Sequence, residues 1–385
     1  MENKIEFLSK KDIGQFLKLA DHAFPTEVPV EKTCRHIALS KNDRGIKHLG
    51  IRDKGKVVSH VGLYPLKMKL PGAVLGIAGI GAVATYEKYR GKGFMKLQLE
   101  YAEKLMNENG YDISWLAGER KRYGYFGWEN AGRLMKYSIT ERTTKGIVTS
   151  GYTYRKYSDR IQDLKGIIKI HEKDGIGLKR TFLDYQLLFS RLHRETIIAS
   201  VGSKPAAYIT FMITRWSKEN GTVLEFGGDL TALKALFRHV IEKYEFKEII
   251  AAAPAFFNRY NELLASISGY RVLENYGMIK IINLRSMLEK FTGQMSIKVE
   301  GLNLKKTMVT FEIPELNQKA TLEIGENVKV ADKPAALKIS LNRKDMVRFL
   351  FGLSKLSDEY NLSEKYAPLN VILPLDIYMW RLETV

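Results

Sequence analysis

A basic glycine turn, R-G-K-G at residues 90–93, separates a strand pattern from a helix pattern. The preceding segment GIGAVAT at 79–85 is short, apolar and β-branched, and the run from Phe94 carries apolar residues at helical spacing. The first amides of a helix have no partner within it and attract anions, and glycines let the backbone approach a ligand. Because Lys88 and Lys96 add positive charge nearby, this turn predicts a diphosphate-binding site.

The elements around the turn indicate how it is held. Met95, Leu99, Ala102 and Met106 repeat along one helix face, Asn109-Gly110 ends the helix, and residues 112–117 predict a second short strand. A dinucleotide-binding fingerprint needs a helix that opens at its glycines, whereas the strand pattern here continues through residues 83–85. A Walker-type loop is excluded because no G-K-[ST] is present.

The sequence V-A-T at 83–85 followed by the turn resembles the acetyl-CoA signature R-x-x-G-x-G/A of the GCN5-related N-acetyltransferases (GNAT). Met95 departs from it, since Gly or Ala is usual there. The resemblance implies acetyl-CoA as co-substrate and no metal. It assigns the pantetheine arm to Val83, Ala84 and Thr85, and the diphosphate to Arg90, Gly91, Lys92, Gly93, Phe94, Met95 and Lys96.

The segment Y-G-Y-F-G-W at 123–128 resembles the Y-x-x-x-G-[FW] elbow of the same family. The resemblance implies that Tyr123 is the general acid. A phenol with a pKa of about 10 stays protonated at neutral pH and can protonate a leaving thiolate. We interpret Tyr125 and Phe126 as aromatic side chains that fill a core or line a wall.

Composition predicts a multidomain globular protein in a reducing cytoplasm. The chain has 385 residues and one cysteine, Cys34, so a disulfide within the chain or a cysteine-based zinc cluster is not expected. We predict no membrane partner, since no signal peptide or membrane span is evident. The net charge of +18 is spread along the chain without a recognisable nucleic-acid motif, so we also predict no nucleic-acid partner.

The later parts of the chain predict two further domains. From Thr196 the order of strands and helices repeats that of the first part, with MIKII as the closing strand, although GGDL with Asp229 replaces the basic turn. This pattern favours a degenerate copy over an unrelated α/β domain. The last ~95 residues predict strands at MSIKVEG, TMVTFEI, KATLEIG, ENVKVAD and ALKISL, then a helix at 343–353.

This order resembles the sterol-carrier-like domain that closes the enhanced-intracellular-survival (Eis) acetyltransferases. The expected fold is therefore α/β (α+β), with a catalytic GNAT domain at 1–140, a degenerate GNAT-like domain at 141–287 and a sterol-carrier-protein-like domain at 288–385. The resemblance also implies a hexamer.

The same resemblance implies that the carboxylate of the last residue, Val385, is the base that deprotonates the attacking amine. With an ordinary pKa of about 3.5, that carboxylate needs desolvation or a nearby amine to act near pH 7. His60 and a water relay are the alternatives, although a histidine in a strand is commonly a core residue. Cys34 has no activating neighbours, so direct acetyl transfer is expected rather than an acyl-cysteine route.

Three functions remain open from sequence. The favoured one is an acetyl-CoA-dependent N-acetyltransferase acting on an aminoglycoside, lysine or polyamine type of amine. The alternatives are a tandem aminoacyltransferase of peptidoglycan synthesis that uses aminoacyl-tRNA, and a non-catalytic CoA-binding regulatory protein. The intact turn at 90–93 favours CoA over aminoacyl-tRNA.

Overall fold

The computed structural model describes residues 4–24, 45–191, 193–213, 219–353, 360 and 363–384. The chain forms two compact units. The first comprises Met1–Gly132 and Asn275–Asp376, and the second comprises Arg133–Glu274 and Ile377–Thr384. The chain therefore leaves the first unit after Gly132 and returns to it at Asn275.

The first unit is built around a seven-stranded sheet, with elements numbered along the whole chain. Its strands are β1 (Ile5–Phe7), β2 (Lys47–Asp53), β3 (Lys56–Leu70), β4 (Ala73–Thr85), β5 (Ile113–Leu116), β6 (Glu129–Asn130) and β14 (Met278–Ile281), and its helices are α1 (Ile13–Ala23), α2 (Phe94–Glu108) and α3 (Arg120–Tyr123). The strand order is β1-β2-β3-β4-β5-β14-β6, and only β4 and β5 run parallel.

The predicted strand, helix and strand around the basic turn are confirmed as β4, α2 and β5. Buried residues Leu99, Ala102 and Met106 of α2 recur at helical spacing and join a core with Leu63 and Ile80 of the sheet. Helix α2 ends at Asn109, and Gly110 follows with a φ of 67°. The strand, turn and helix are thus fixed by the packing of one apolar helix face on the sheet.

The last part of the first unit carries a separate four-stranded sheet. Its elements are α8 (Leu284–Val299), β15 (Thr307–Ile313), β16 (Gln318–Ile324), β17 (Val328–Ala331), β18 (Leu337–Ser340), α9 (Arg343–Phe351) and α10 (Leu369–Ile372), with strand order β17-β16-β15-β18. The strand predicted at MSIKVEG is wrong, because that stretch lies mainly at the end of α8. Its apolar residues continue the buried helical series Met287, Phe291, Met295 and Val299, and this longer period outweighs the short alternation.

The second unit has its own seven-stranded sheet. Its elements are β7 (Arg133–Thr140), β8 (Thr153–Lys156), α4 (Ile161–Asp174), α5 (Phe182–Phe189), β9 (Glu195–Val201), β10 (Lys204–Ile213), β11 (Asn220–Gly228), α6 (Leu230–Tyr244), β12 (Glu248–Pro254), α7 (Asn258–Ser266) and β13 (Tyr270–Asn275). The strand order is β8-β9-β10-β11-β12-β7-β13, and the parallel pair is β11 and β12.

The two large sheets have the same topology with one strand exchanged. In each sheet, three strands precede a parallel pair, and the strand after the pair comes from a distant part of the chain: β14 in the first sheet and β7 in the second. The segment MIKII therefore does not close the second sheet, as its sequence order predicted. Its residues Met278 and Ile282 are buried in the core of the first unit instead. The compact units divide at 132/133 and 274/275, and the three-part division at 140/141 and 287/288 stays a prediction.

The chain end is attached to the second unit by a buried ion cluster. Arg180 donates to Glu225 at 2.5 Å and to Glu383 at 2.7 Å, and all three side chains are buried. Burial raises the pKa of the Glu383 carboxyl despite the opposing guanidinium of Arg180. The segment up to Thr384 is thereby held by side chains of its own unit.

Candidate active site

The basic turn leaves the first turn of α2 open to a ligand. Gly91 and Gly93 have φ values of 78° and 77°, and a Cβ added at either would meet no atom within 4 Å. Gly93 is the N-cap of α2, and no side chain caps this end. Because the first amides of a helix lack partners within it, this end offers several donors to an anion.

A cavity of about 610 Å³ lies beside this turn. It is lined by all the predicted cofactor-binding residues except Lys92, namely Val83, Ala84, Thr85, Arg90, Gly91, Gly93, Phe94, Met95 and Lys96. Lys92 instead has its Nζ 4.9 Å from the ring centre of Tyr89. The remaining lining residues are Ala23, Phe24, Tyr89, Arg122 and Phe126, which the sequence analysis did not assign to this site.

Strand β4 presents an unpaired edge to the cavity. Its pairing with β5 ends at Gly79 and Trp115, so in the described chain no strand continues the ladder on that side as far as Thr85. Ala82 has a φ of 50°, and the register with β3 shifts between His60 and Gly62. This bulge turns the strand at the place where its free backbone groups enter the cavity.

Two histidines lie beneath the bulge. His60 is fully buried, and its Nδ1 donates to the Ala82 carbonyl at 2.8 Å. Its Nε2 must then accept from His48 Nδ1, which lies 3.0 Å away. Burial, reinforced by His48, lowers the pKa of His60 to about 3. His60 is therefore a core residue with both nitrogens in use, which confirms its structural interpretation.

A cluster of hydrogen-bonded polar side chains lies at the Thr85 end of the free β4 edge. Ser59 Oγ donates to Gln98 Oε1 at 2.6 Å and lies 2.8 Å from Thr85 Oγ1, and Gln98 Nε2 donates to the Leu49 carbonyl at 2.9 Å. Gln98 is fully buried on α2. Sequence analysis missed Gln98, although a polar side chain next to the apolar positions of a helix is a detectable signal.

Tyr123 lies in the elbow but does not line the cavity. Its side chain is 8% exposed and packs edge to face on Trp128, with ring centres 6.4 Å apart. A Cβ on Gly118 would lie 2.3 Å from the Tyr123 ring, so a glycine is needed there. Burial raises the pKa of Tyr123 against a smaller opposite effect of Arg122, which keeps the phenol protonated at neutral pH.

The other residues of the elbow have different surroundings. Arg122 and Phe126 face the cavity, whereas Tyr125 is 75% exposed and so is not a core residue. The side chain of Met95, at the unusual position of the signature, packs in part against the core of the first unit. The backbone of the turn thus stays accessible despite the larger residue.

Val385 and Cys34 lie outside the described residues, so their predicted roles stay predictions. Within the described residues, no group of three or more His, Cys, Asp or Glu side chains is arranged to hold a metal ion. None of the described helices is long and apolar enough to cross a membrane.

In the second unit the helix start equivalent to the basic turn is capped by a side chain of the protein. Helix α6 begins after Asp229, and the Asp229 carboxylate accepts from the amides of Thr231 and Ala232 at 3.0 and 2.9 Å. The helix N-terminus that is open in α2 is therefore capped in α6 by a negative side chain.

Comparison with known proteins finds a family match in the first part of the chain. The acetyltransferase (GNAT) domain family matches residues 4–131. Over 120 residues the chain is 26% identical to an uncharacterized N-acetyltransferase, YhbS, of Escherichia coli (strain K12), covering 31% of this chain and 68% of that protein.

Solved structures match the fold along nearly the whole chain. A probable N-acyltransferase of unknown function from Enterococcus faecalis V583 has a TM-score of 0.71 at 20% identity, covering 97% of this chain and 96% of its own. A GCN5-related N-acetyltransferase from Anabaena variabilis gives 0.71 at 16% identity, with 98% of both chains covered. Eis1 from Mycobacterium abscessus gives 0.65 at 13% identity, also with 98% of both chains covered.

Proposed function

We propose that this acetyltransferase, whose residues 4–131 match the GNAT domain family, transfers an acetyl group from acetyl-CoA to a primary amine. The observation that carries the proposal is the joining of two features in one cavity: the uncapped start of α2 and the unpaired edge of β4. A diphosphate binds to the free amides at the start of α2, and the amide groups of pantetheine pair with the free backbone edge of β4.

The residues of the cavity divide the binding between them. The amides of Phe94, Met95 and Lys96, with the charges of Arg90 and Lys96, hold the diphosphate. The backbone of 83–85 pairs with the pantetheine amides, and Phe24 and Phe126 cover apolar surface. Acetyl-CoA supplies the activated acetyl thioester when bound.

Proton transfer is assigned to Tyr123 and Val385. Tyr123 donates its phenolic proton to the leaving sulfur, a role that its burial-raised pKa supports. The Val385 carboxylate, or a water relay, accepts the proton of the attacking amine. His60 is set aside as the base, because both of its ring nitrogens are already hydrogen-bonded inside the core.

A C-terminal extension tests the role of Val385. Adding a few residues after Val385 moves the terminal carboxylate away from its native position without changing any side chain. We expect turnover to fall about 100-fold, the usual contribution of a positioned acid or base. The Kd for acetyl-CoA should not change. Wild-type turnover in the extended chain would remove Val385 from the mechanism.

The remaining parts support one active site per chain. The shared sheet topology supports a GNAT-like origin for the second unit, and the self-capped start of α6 supports its loss of a CoA site.

The sterol-carrier-like identity of residues 288–385, the hexamer and the cytoplasmic location are also proposed. Light scattering tests the hexamer, and a monomer in solution would contradict it.

Calorimetry with acetyl-CoA and with total RNA separates the two donor classes. Heat on adding acetyl-CoA and none on adding RNA supports the proposal. The reverse result favours the aminoacyl-tRNA alternative, and absence of acetyl-CoA binding would refute the donor assignment.

An assay of CoA thiol release with a panel of amines then separates an enzyme from a CoA-binding regulator. The panel should include an aminoglycoside, a lysine peptide and a polyamine, because the cavity residues do not distinguish these acceptors. Release that depends on one class of amine identifies the substrate. Release with none of them, in a protein that binds acetyl-CoA, favours the regulator.

A further inference from the structure

A second cavity, of about 570 Å³, adjoins the first within the same unit. The two cavities share Lys96 and Phe126. The second continues along α2 past Leu99 and Glu100 to Glu103, a rise of about 10 Å from Lys96. Its opposite wall comes from β14 and from the start of α9, far from α2 in sequence.

The cavity contains more positive than negative groups. Lys280 Nζ and Arg343 Nη1 each lie 2.6 Å from an oxygen of Glu103, so a buried lysine and a partly buried arginine share one carboxylate. The Arg343 Nε is buried and has no hydrogen-bond partner in the described chain. The exposed Lys344 also lines the cavity and forms no ion pair with any described residue.

The remaining negative charges do not cancel this surplus. Glu100 is 3.9 Å from Lys96, and Glu315 accepts from the backbone amide of Arg343 at 2.6 Å. The lining therefore has four cationic side chains and three carboxylates, with a donor group left unused at Arg343. An anion with several acceptor oxygens would complete this arrangement.

An aromatic surface lies next to the charges. Tyr125 is 75% exposed, and its ring forms an edge-to-face pair with Phe126, with ring centres 5.2 Å apart. Both residues line the cavity. Exposed aromatic rings next to basic side chains suit a nucleobase that carries a phosphate, because the base can stack while the phosphate pairs.

We propose that this second cavity binds the 3′-phosphoadenosine end of CoA. Arg343 and Lys344, from the last part of the first unit, hold the 3′-phosphate, and Tyr125 stacks on the adenine. The inference rests on the proposed use of acetyl-CoA and adds residues outside the GNAT domain to its site. A phosphate monoester carries a charge of about −2 near pH 7, so the net positive charge of the lining and the unused Arg343 Nε both favour its binding.

Calorimetry with CoA and with dephospho-CoA, which lacks only the 3′-phosphate, tests the proposal. We expect the wild-type protein to bind CoA about tenfold more tightly than dephospho-CoA. Lys344→Ala should weaken CoA binding about fivefold and leave dephospho-CoA binding unchanged. Tyr125→Ala should weaken both ligands by the same factor, since both contain adenine.

Two further variants complete the design. Lys365→Ala removes an exposed lysine outside the cavity and should change neither affinity. Arg343→Lys keeps the charge that Glu103 needs, and a thermal unfolding measurement checks that it folds. It should lower the affinity for CoA but not for dephospho-CoA.

Equal affinities of the wild-type protein for CoA and dephospho-CoA would overturn this inference and leave the proposed function intact. An equal loss for both ligands in Lys344→Ala would do the same. Failure to bind either ligand would instead overturn the proposed function and this inference together.

Discussion

At the scale of single residues, the phenol of Tyr123 combines deep burial with a position in the elbow between two cavity-lining residues. Replacing Tyr123 by Phe removes only the hydroxyl, so the packing on Gly118 and Trp128 should remain. We expect kcat to fall at least about 100-fold with the acetyl-CoA Kd unchanged, because the leaving thiolate loses its proton donor. The measurement is thiol release together with calorimetry.

Tyr111→Phe is the matched control for Tyr123→Phe. Tyr111 also packs against the core of the first unit, and burial likewise raises its pKa, but it lies at the far end of α2 from the turn. The Tyr111→Phe variant should therefore turn over at the wild-type rate. Normal turnover in Tyr123→Phe would show that another group, or water, protonates the sulfur.

His60 makes the first unit sensitive to mild acid. Its pKa is about 3 in the folded protein and about 6.5 in the unfolded chain, so below pH 6.5 only the unfolded state gains this proton. The free energy of unfolding should therefore fall as the pH falls from 6.5 towards 3, by at most about 1.4 kcal/mol per pH unit for this group.

The comparison that isolates His60 is with His60→Gln, using urea unfolding at pH 7.5 and pH 5.5. The variant should be less stable at pH 7.5 but lose less stability between the two pH values. Carboxylates that titrate in both proteins cancel in this difference. If the variant and the wild type lose the same amount, His60 is not a source of the pH dependence.

At the scale of elements, the turn before α2 was predictable because its parts are local. Short apolar runs indicated β4 and β5, a period of 3.6 indicated α2, and the glycines and charges of the turn indicated the anion site. The strand prediction at MSIKVEG is wrong because its short alternation is the end of a longer helical series that begins at Leu284. Lys92 was assigned by its place in the signature, which carries no information on where a long side chain points.

The two glycines at the ends of α2 offer a matched test of the anion site. Gly93 and Gly110 both have positive φ, 77° and 67°, and an added Cβ meets no atom within 4 Å at either. Gly93→Ala and Gly110→Ala should therefore each lose about 1 kcal/mol of stability through backbone strain.

Only Gly93→Ala should lower the affinity for acetyl-CoA, because the added methyl group and any relaxation of the turn lie where the diphosphate binds. We expect its acetyl-CoA affinity to fall about tenfold and that of Gly110→Ala to stay at the wild-type value. Calorimetry and thermal unfolding separate the two effects. Equal affinities in the two variants would argue against diphosphate binding at this turn.

At the scale of the whole molecule, sequence order misassigned one strand for a physical reason. Along the chain β7 follows β5 and β6, and β14 follows β12 and β13, so sequence order places each of the two strands in the other sheet. Only the tertiary fit of their side chains distinguishes the two pairings. The contact of Arg343 with Glu103, 240 positions apart, is likewise beyond local patterns, and so is the second cavity that it lines.

The exchanged strand makes a prediction about which part of the chain folds alone. Residues 1–140 contain the matched GNAT domain but lack β14, which lies between β5 and β6 and buries Met278, Ile279 and Ile281. We expect this fragment to unfold without cooperativity and not to bind acetyl-CoA.

A chain that joins 1–132 to 275–376 through a short Gly/Ser linker restores β14. The two ends to be linked are close, since the Tyr276 amide donates to the Ala131 carbonyl at 3.1 Å. The joined chain should melt cooperatively and bind acetyl-CoA, as measured by circular dichroism and calorimetry. If residues 1–140 alone do both, the first sheet does not depend on β14, and the predicted boundary at residue 140 marks a self-sufficient domain.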